Sequence, residues 1–168
     1  MRKFKHLSFY ISLCCLFNLS GVLAQENSRI EALNKYWENL SSTVQKGDDM
    51  AYAAAYHPDA VVVNLVADPQ NSKSIAQAME GWRPGFQDTQ AGKVRSQVDF
   101  RFSSRVGDEK SAYEIGIFHY AQEKEGKIIA DVYIEFEMLL VKKEGQWLAF
   151  MELQRSMASK EAWNALAE

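Results

Sequence analysis

Apolar residues return every three or four positions at Ile30, Leu33, Trp37, Leu40 and Val44, the spacing of one helix face. Ser28 and Glu31 have capping-box spacing ahead of this run and Gly47 stops it, so the pattern predicts a long amphipathic helix. Asp48 can cap a second, alanine-rich helix from Met50 to Tyr56, and Pro58 keeps it from passing His57. The β-branched stretch Ala60 to Val66 suits a buried strand. Asp68-Pro69-Gln70-Asn71 is turn chemistry. Ser72 or Ser74 then opens a third helix with Ile75, Met79 and Trp82 on one face, and Gly81 and Pro84 are expected to end it before a loop from Phe86 to Gly92.

Beyond Gly92 the period drops from 3.6 to 2. Val94, Val98, Phe100 and Phe102 alternate with Arg95, Gln97, Asp99 and Arg101, which describes a strand with one dry and one wet face. Gly107-Asp108, Glu125-Gly126 and Glu144-Gly145 punctuate three further strands, about Ser111 to Gln122, Ile128 to Lys143 and Trp147 to Leu153. In the long strand Val132, Ile134, Phe136, Met138 and Leu140 share a face opposite Asp131, Tyr133, Glu135 and Glu137. Trp163 and Leu166 mark a final helical turn or a frayed tail. Helices first and a meander of strands after predict an α+β domain, its helices covering one face of the sheet.

Charge and cysteine placement alter the picture at the amino end. Arg2, Lys3 and Lys5 precede an apolar run from Leu7 to Leu19, and Gly21-Val22-Leu23-Ala24 ends it, the order of a secretory leader cleaved after Ala24. The run is shorter than the roughly 20 residues a membrane span requires. Neither Cys14 nor Cys15 follows the small residue that a lipid-attachment box requires. Cleavage would remove 24 of 168 residues, leaving a single domain of 144 with no cysteine and with His57 and His119 as its histidines. The leader takes three basic and no acidic residues, so the net charge would move from −3 to −6. Such a chain, periplasmic or secreted, offers no footprint for nucleic acid or for an anionic membrane.

Several phrases carry a resemblance. Trp37 and Leu40, Gly47-Asp48, Tyr56-His57-Pro58-Asp59-Ala60-Val61, Ala112-Tyr113-Glu114-Ile115-Gly116 and Lys143-Glu144-Gly145-Gln146-Trp147 together resemble the SnoaL-like, nuclear-transport-factor-2-like superfamily, in its branch filed as a domain of unknown function. The resemblance implies a cystatin-like cone: a curved antiparallel sheet wrapped around about three N-terminal helices, with a pocket at the wide end and homodimers formed through the sheet. Members include isomerases, dehydratases, cyclases and carriers, so it implies a pocket without choosing its use.

Within that frame the candidate chemistry is short. His119 alternates with Ile115 and Ile117, and an inward imidazole there could act as general base or sit satisfied in the core. Glu114 shares a face with Phe118 and Tyr120 and is the other candidate base, whereas Glu135 and Glu137 are expected to face water or a partner. The expected ligand wall is Trp37, Tyr52, Tyr56, Met79, Trp82 and Phe86, with Gly81 to Phe86 as a lid. No cofactor or metal is expected, because the histidines lack ligand spacing and no nucleophile elbow, phosphate loop or dinucleotide fingerprint occurs. Three uses stay open: binding of a small, largely apolar molecule; isomerase, dehydratase or cyclase chemistry with His119 or a strand carboxylate as base; or a purely structural or toxin-neutralising dimer, which would have a filled cone and a large apolar patch on the outer sheet face.

Overall fold

The computed structural model describes the backbone of residues 7–166 and side chains of residues 25–166; the leader read at residues 1–24 lies outside the described side chains. Among the described residues four helices and six strands follow in the order α1 (Leu7–Lys46), α2 (Asp49–Ala54), β1 (Tyr56–Asn64), β2 (Asn71–Ser74), α3 (Ile75–Gln90), β3 (Arg95–Gly107), β4 (Ser111–Lys124), β5 (Lys127–Lys143), β6 (Gln146–Met157) and α4 (Lys160–Ala165). The strands form one sheet in the order β2-β1-β6-β5-β4-β3. Every neighbouring pair is antiparallel except β1 with β6, which run parallel. Among the described residues no helix is long and apolar enough to cross a membrane.

The predicted periodicities hold because each apolar stripe finds a partner. Leu33, Trp37 and Leu40 of α1 pack against Phe136, Met138 and Leu140 of β5, and all six are buried. Burial of a side chain of this size is worth about 1.5–3 kcal/mol. Trp37 sits at the centre, 4.5 Å from the Phe100 ring and 5.5 Å from that of Phe136, centroid to centroid. The two tight hairpins place Glu125-Gly126 and Glu144-Gly145 at positive φ, as mirror-image two-residue turns require.

Several local features depart from the sequence expectation: α1 runs through Ser28 rather than opening there, and α2 ends at Ala54 so that β1 begins at Tyr56 rather than Ala60. Asn71 to Ser74 form a short edge strand rather than a turn, and Ser74 then caps α3 in a reciprocal box with Gln77. Helix α3 does not end at Gly81 or Pro84 but runs on to Gln90, so the segment expected as a lid is a helical wall. Finally, extra residues in β3 and β6 shift the pairing register. Phe102 faces Gly116 while Ser104 faces Ile115, and Leu139 faces Met151 while Leu140 faces Ala149. Each extra residue, Ser103 and Phe150, turns the following side chains to the opposite face.

Candidate functional site

The cone holds a cavity of about 380 Å³ between α1, α2 and α3 on one side and β3 to β6 on the other. That volume lies within the range of small-molecule sites, about 300–1,000 Å³. Aromatic rings dominate its wall: Tyr52 from α2, Trp82 and Phe86 from α3, and Phe100, Phe118 and Phe136 from the sheet. Tyr52 lies at the hub of the helical side, 5.1 Å from the Phe86 ring and 5.9 Å from that of Trp82.

The wall of this apolar space carries a buried carboxyl. Glu152 of β6 is 5% exposed and points inward because Phe150 takes up the extra position in the strand. Strict alternation from Trp147 and Ala149 would have pointed Leu153 inward and Glu152 outward. The Tyr56 hydroxyl donates to Glu152 Oε2 at 2.5 Å and the Gln154 side-chain amide to Oε1 at 2.8 Å. Tyr52 extends the chain, its hydroxyl 3.2 Å from that of Tyr56. With Tyr56 donating to the carboxylate, Tyr52 donates to Tyr56 and keeps acceptor lone pairs for a ligand.

Among the described residues no cation pairs with Glu152. Burial pushes its carboxyl above the ordinary glutamate value, and the hydrogen bonds from Gln154 and Tyr56 only partly restrain the rise. Burial also raises the Tyr52 and Tyr56 hydroxyls, with the Glu152 charge adding to it, so both remain donors at any ordinary pH. A second polar group lies on the β3–β4 side of the cavity. There the Gln122 amide donates to Ser96 Oγ at 3.1 Å, Ser96 and Thr89 share a hydroxyl contact of 2.7 Å, and Thr89 donates to the Gly85 carbonyl at 2.9 Å.

The sequence-predicted residues divide among four places. Tyr52, Tyr56, Trp82 and Phe86 line the cavity. Trp37 and Met79 are buried in the core and do not line it. Glu114 faces the concave side but is sealed in at 0% exposure, bonded at Oε1 by Arg105 Nε at 2.7 Å and at Oε2 by the Trp37 indole. His119 does not point inward. It stands on the convex face, stacked 4.2 Å from the Tyr133 ring, with Nε2 2.6 Å from Asp131 Oδ1 and with Trp163 of α4 alongside. Among the described residues no cluster of three or more His, Cys, Asp or Glu could hold a metal.

Sequence reasoning missed Glu152, whose inward aim depends on the Phe150 bulge, and the Thr89–Ser96–Gln122 group, whose members lie on three elements. A possible signal for Glu152 was the polar pair Glu152 and Gln154, two residues apart in an otherwise core-forming strand.

No family profile and no curated protein matches the sequence. Solved structures do. A ketosteroid isomerase-like protein of Erwinia carotovora atroseptica superposes with a TM-score of 0.58 over 79% of this chain and 98% of its own, at 15% identity. An NTF-2-like protein of unknown function from Shewanella oneidensis gives 0.57 over 74% and 97%, at 11% identity. The beta subunit of the benzoate 1,2-dioxygenase of Burkholderia mallei gives 0.61 over 75% and 88%, at 10% identity. The order of elements, the curved six-stranded sheet and these likenesses give the chain the nuclear-transport-factor-2-like α+β cone fold.

Proposed function

We propose that the cone binds one small, largely apolar molecule, held by aromatic rings along its body and by the Glu152, Tyr56 and Tyr52 group at its polar end. The observation that carries this reading is an open, aromatic-walled cavity of about 380 Å³ with a buried carboxyl in its wall and, among the described residues, no cation beside it. A buried carboxyl without a cation partner disfavours a second negative charge beside it and offers hydrogen bonds, so the site suits a phenol, alcohol or ketone better than an anion. Titration calorimetry with 4-ethylphenol tests the reading. One site per chain is expected, with affinity falling about tenfold in Tyr52→Phe, the equivalent of about 1.4 kcal/mol. Absence of binding would overturn it.

A second reading, acid–base catalysis, is favoured by Glu152 itself, a strand carboxylate with a raised pKa beside two hydroxyl donors. Above that pKa the carboxylate would take a proton from the carbon next to a ketone, the Tyr52 hydroxyl would turn from Tyr56 to donate to the enolate oxygen, and the proton would then return to carbon. Proton exchange of 2-tetralone in D₂O, followed by NMR, tests it. Exchange present in the wild type and lost in Glu152→Gln supports catalysis, whereas no acceleration over buffer leaves binding as the function.

The same account takes the chain as exported after Ala24 and paired through the convex face of the sheet. The basic residues and apolar run before Ala24 support export. Tyr113, Leu139 and Met151 form a row across β4, β5 and β6 on that face, and Val106 beside Tyr113 is exposed, which supports pairing. A mature amino terminus at Gln25 and a sedimenting dimer are the expected results; a full-length secreted chain or a monomer at 100 μM would contradict them.

A further inference from the structure

Two glycines stand inside α3, Gly81 and Gly85, one turn apart. An interior helical glycine is about 0.5–1 kcal/mol less favourable than alanine, so each requires a reason. The usual reasons are a left-handed backbone or a close neighbour. The glycines with positive φ are Gly47, Gly92, Gly107, Gly126 and Gly145, and neither residue in α3 is among them. Nor is either one pressed: an ideal Cβ at Gly81 or Gly85 would have no heavy atom within 4 Å. Gly47 and Gly116 show the contrast, since a Cβ there would come within 2.4 Å of the Phe86 carbonyl oxygen and 2.0 Å of the Arg101 carbonyl oxygen.

What Gly81 and Gly85 share is the cavity, which both line. Gly85 lies between Trp82, Phe86 and Thr89 around the helix, all of which face the cavity, and Gly81 lies one turn away towards the rim, where it is exposed. We propose that these two glycines set ligand shape: they leave a stretch of bare helical backbone as one wall of the cavity, opposite the rings on the sheet, and the slot between accepts a flat ring system. A fused or conjugated planar molecule fills such a slot face-on, whereas a branched aliphatic one does not. This rests on the reading that the cavity holds a ligand, and it adds the class of molecule and the residues that select it.

The experiment compares phenol with the broader 2-naphthol, each titrated by fluorescence into the wild type, Gly85→Ala, Gly81→Ala and Gly85→Leu, with thermal unfolding of all four. Gly85→Ala is expected to unfold about 2 °C higher than the wild type, because it removes a helix penalty and meets no neighbour. Gly85→Leu is expected to weaken 2-naphthol about tenfold while phenol changes less than about threefold. A wild type that binds neither probe overturns the ligand reading, and this inference with it. Binding of both probes with no loss of 2-naphthol in Gly85→Leu, or equal loss of both, overturns the slot alone. Unfolding of both alanine variants below the wild type also overturns it, since the glycines would then serve the fold.

Discussion

Two carboxylates are buried on the concave face of the sheet, and their partners set them apart. Glu114 has Arg105 and the Trp37 indole, and Arg105 Nη1 reaches on to Asn34 Oδ1 at 2.5 Å. Removing either side of this pair leaves a buried charge unmatched, so Arg105→Ala and Glu114→Ala are each expected to cost about 3–5 kcal/mol in denaturant melts. The double variant should cost less than the sum by about 1–3 kcal/mol. Glu152 has neutral donors only, and its pKa is raised by burial. A group with a raised folded pKa contributes stability that is fully present below its unfolded value, near 4.5, and is lost as pH rises through the folded value. Glu152→Gln, which keeps the shape without the charge, is therefore expected to melt higher than the wild type at pH 8, by roughly 2–4 °C, and to lose that advantage below pH 4.5. A melting difference independent of pH would show that Glu152 is not the titrating group. The sequence alone made Glu114 visible as an inward carboxylate, but its pairing depended on Arg105 facing inward, which the extra residue at Ser103 brings about.

Elements with a single period were legible and elements that break period were not. The stripe Leu33, Trp37, Leu40 and Val44 of α1 and the alternating Phe136, Met138 and Leu140 of β5 each keep one buried face, so these core residues followed from spacing alone. Strand β6 changes phase at Phe150, and a pattern argument has no means of seeing an extra residue when the partner strand is unknown. Helix α3 misled for a different reason. Gly81, Pro84 and Gly85 are helix breakers by propensity, yet Trp82 and Phe86 carry the apolar stripe of Ile75 and Met79 on as partly buried residues packed against the core, and tertiary packing outweighs the local cost. Pro84 is exposed and lacks the N–H that would close a turn onto Glu80, so Pro84→Ala is expected to stabilise the protein by roughly 1–3 kcal/mol in chemical denaturation. Destabilisation would mean that the cavity wall depends on the proline's local geometry.

At the scale of the whole molecule, the curved sheet keeps its interior from being filled by side chains. Helices α1 and α3 close one side, the bulges turn Arg105 and Glu152 inward, and the remaining space is walled by rings with polar groups in two places. His119, although its spacing allowed an inward imidazole, faces the convex side under Trp163 and takes no part in that space. The most direct test of the account is a crystal structure of the protein soaked with 4-bromophenol, whose bromine is located by anomalous scattering. The account predicts one bromine per chain between Trp82 and Phe136, with the phenol oxygen within hydrogen-bond distance of Tyr52 or Glu152. An interior without bromine, or a bromine only on the convex face, would contradict it.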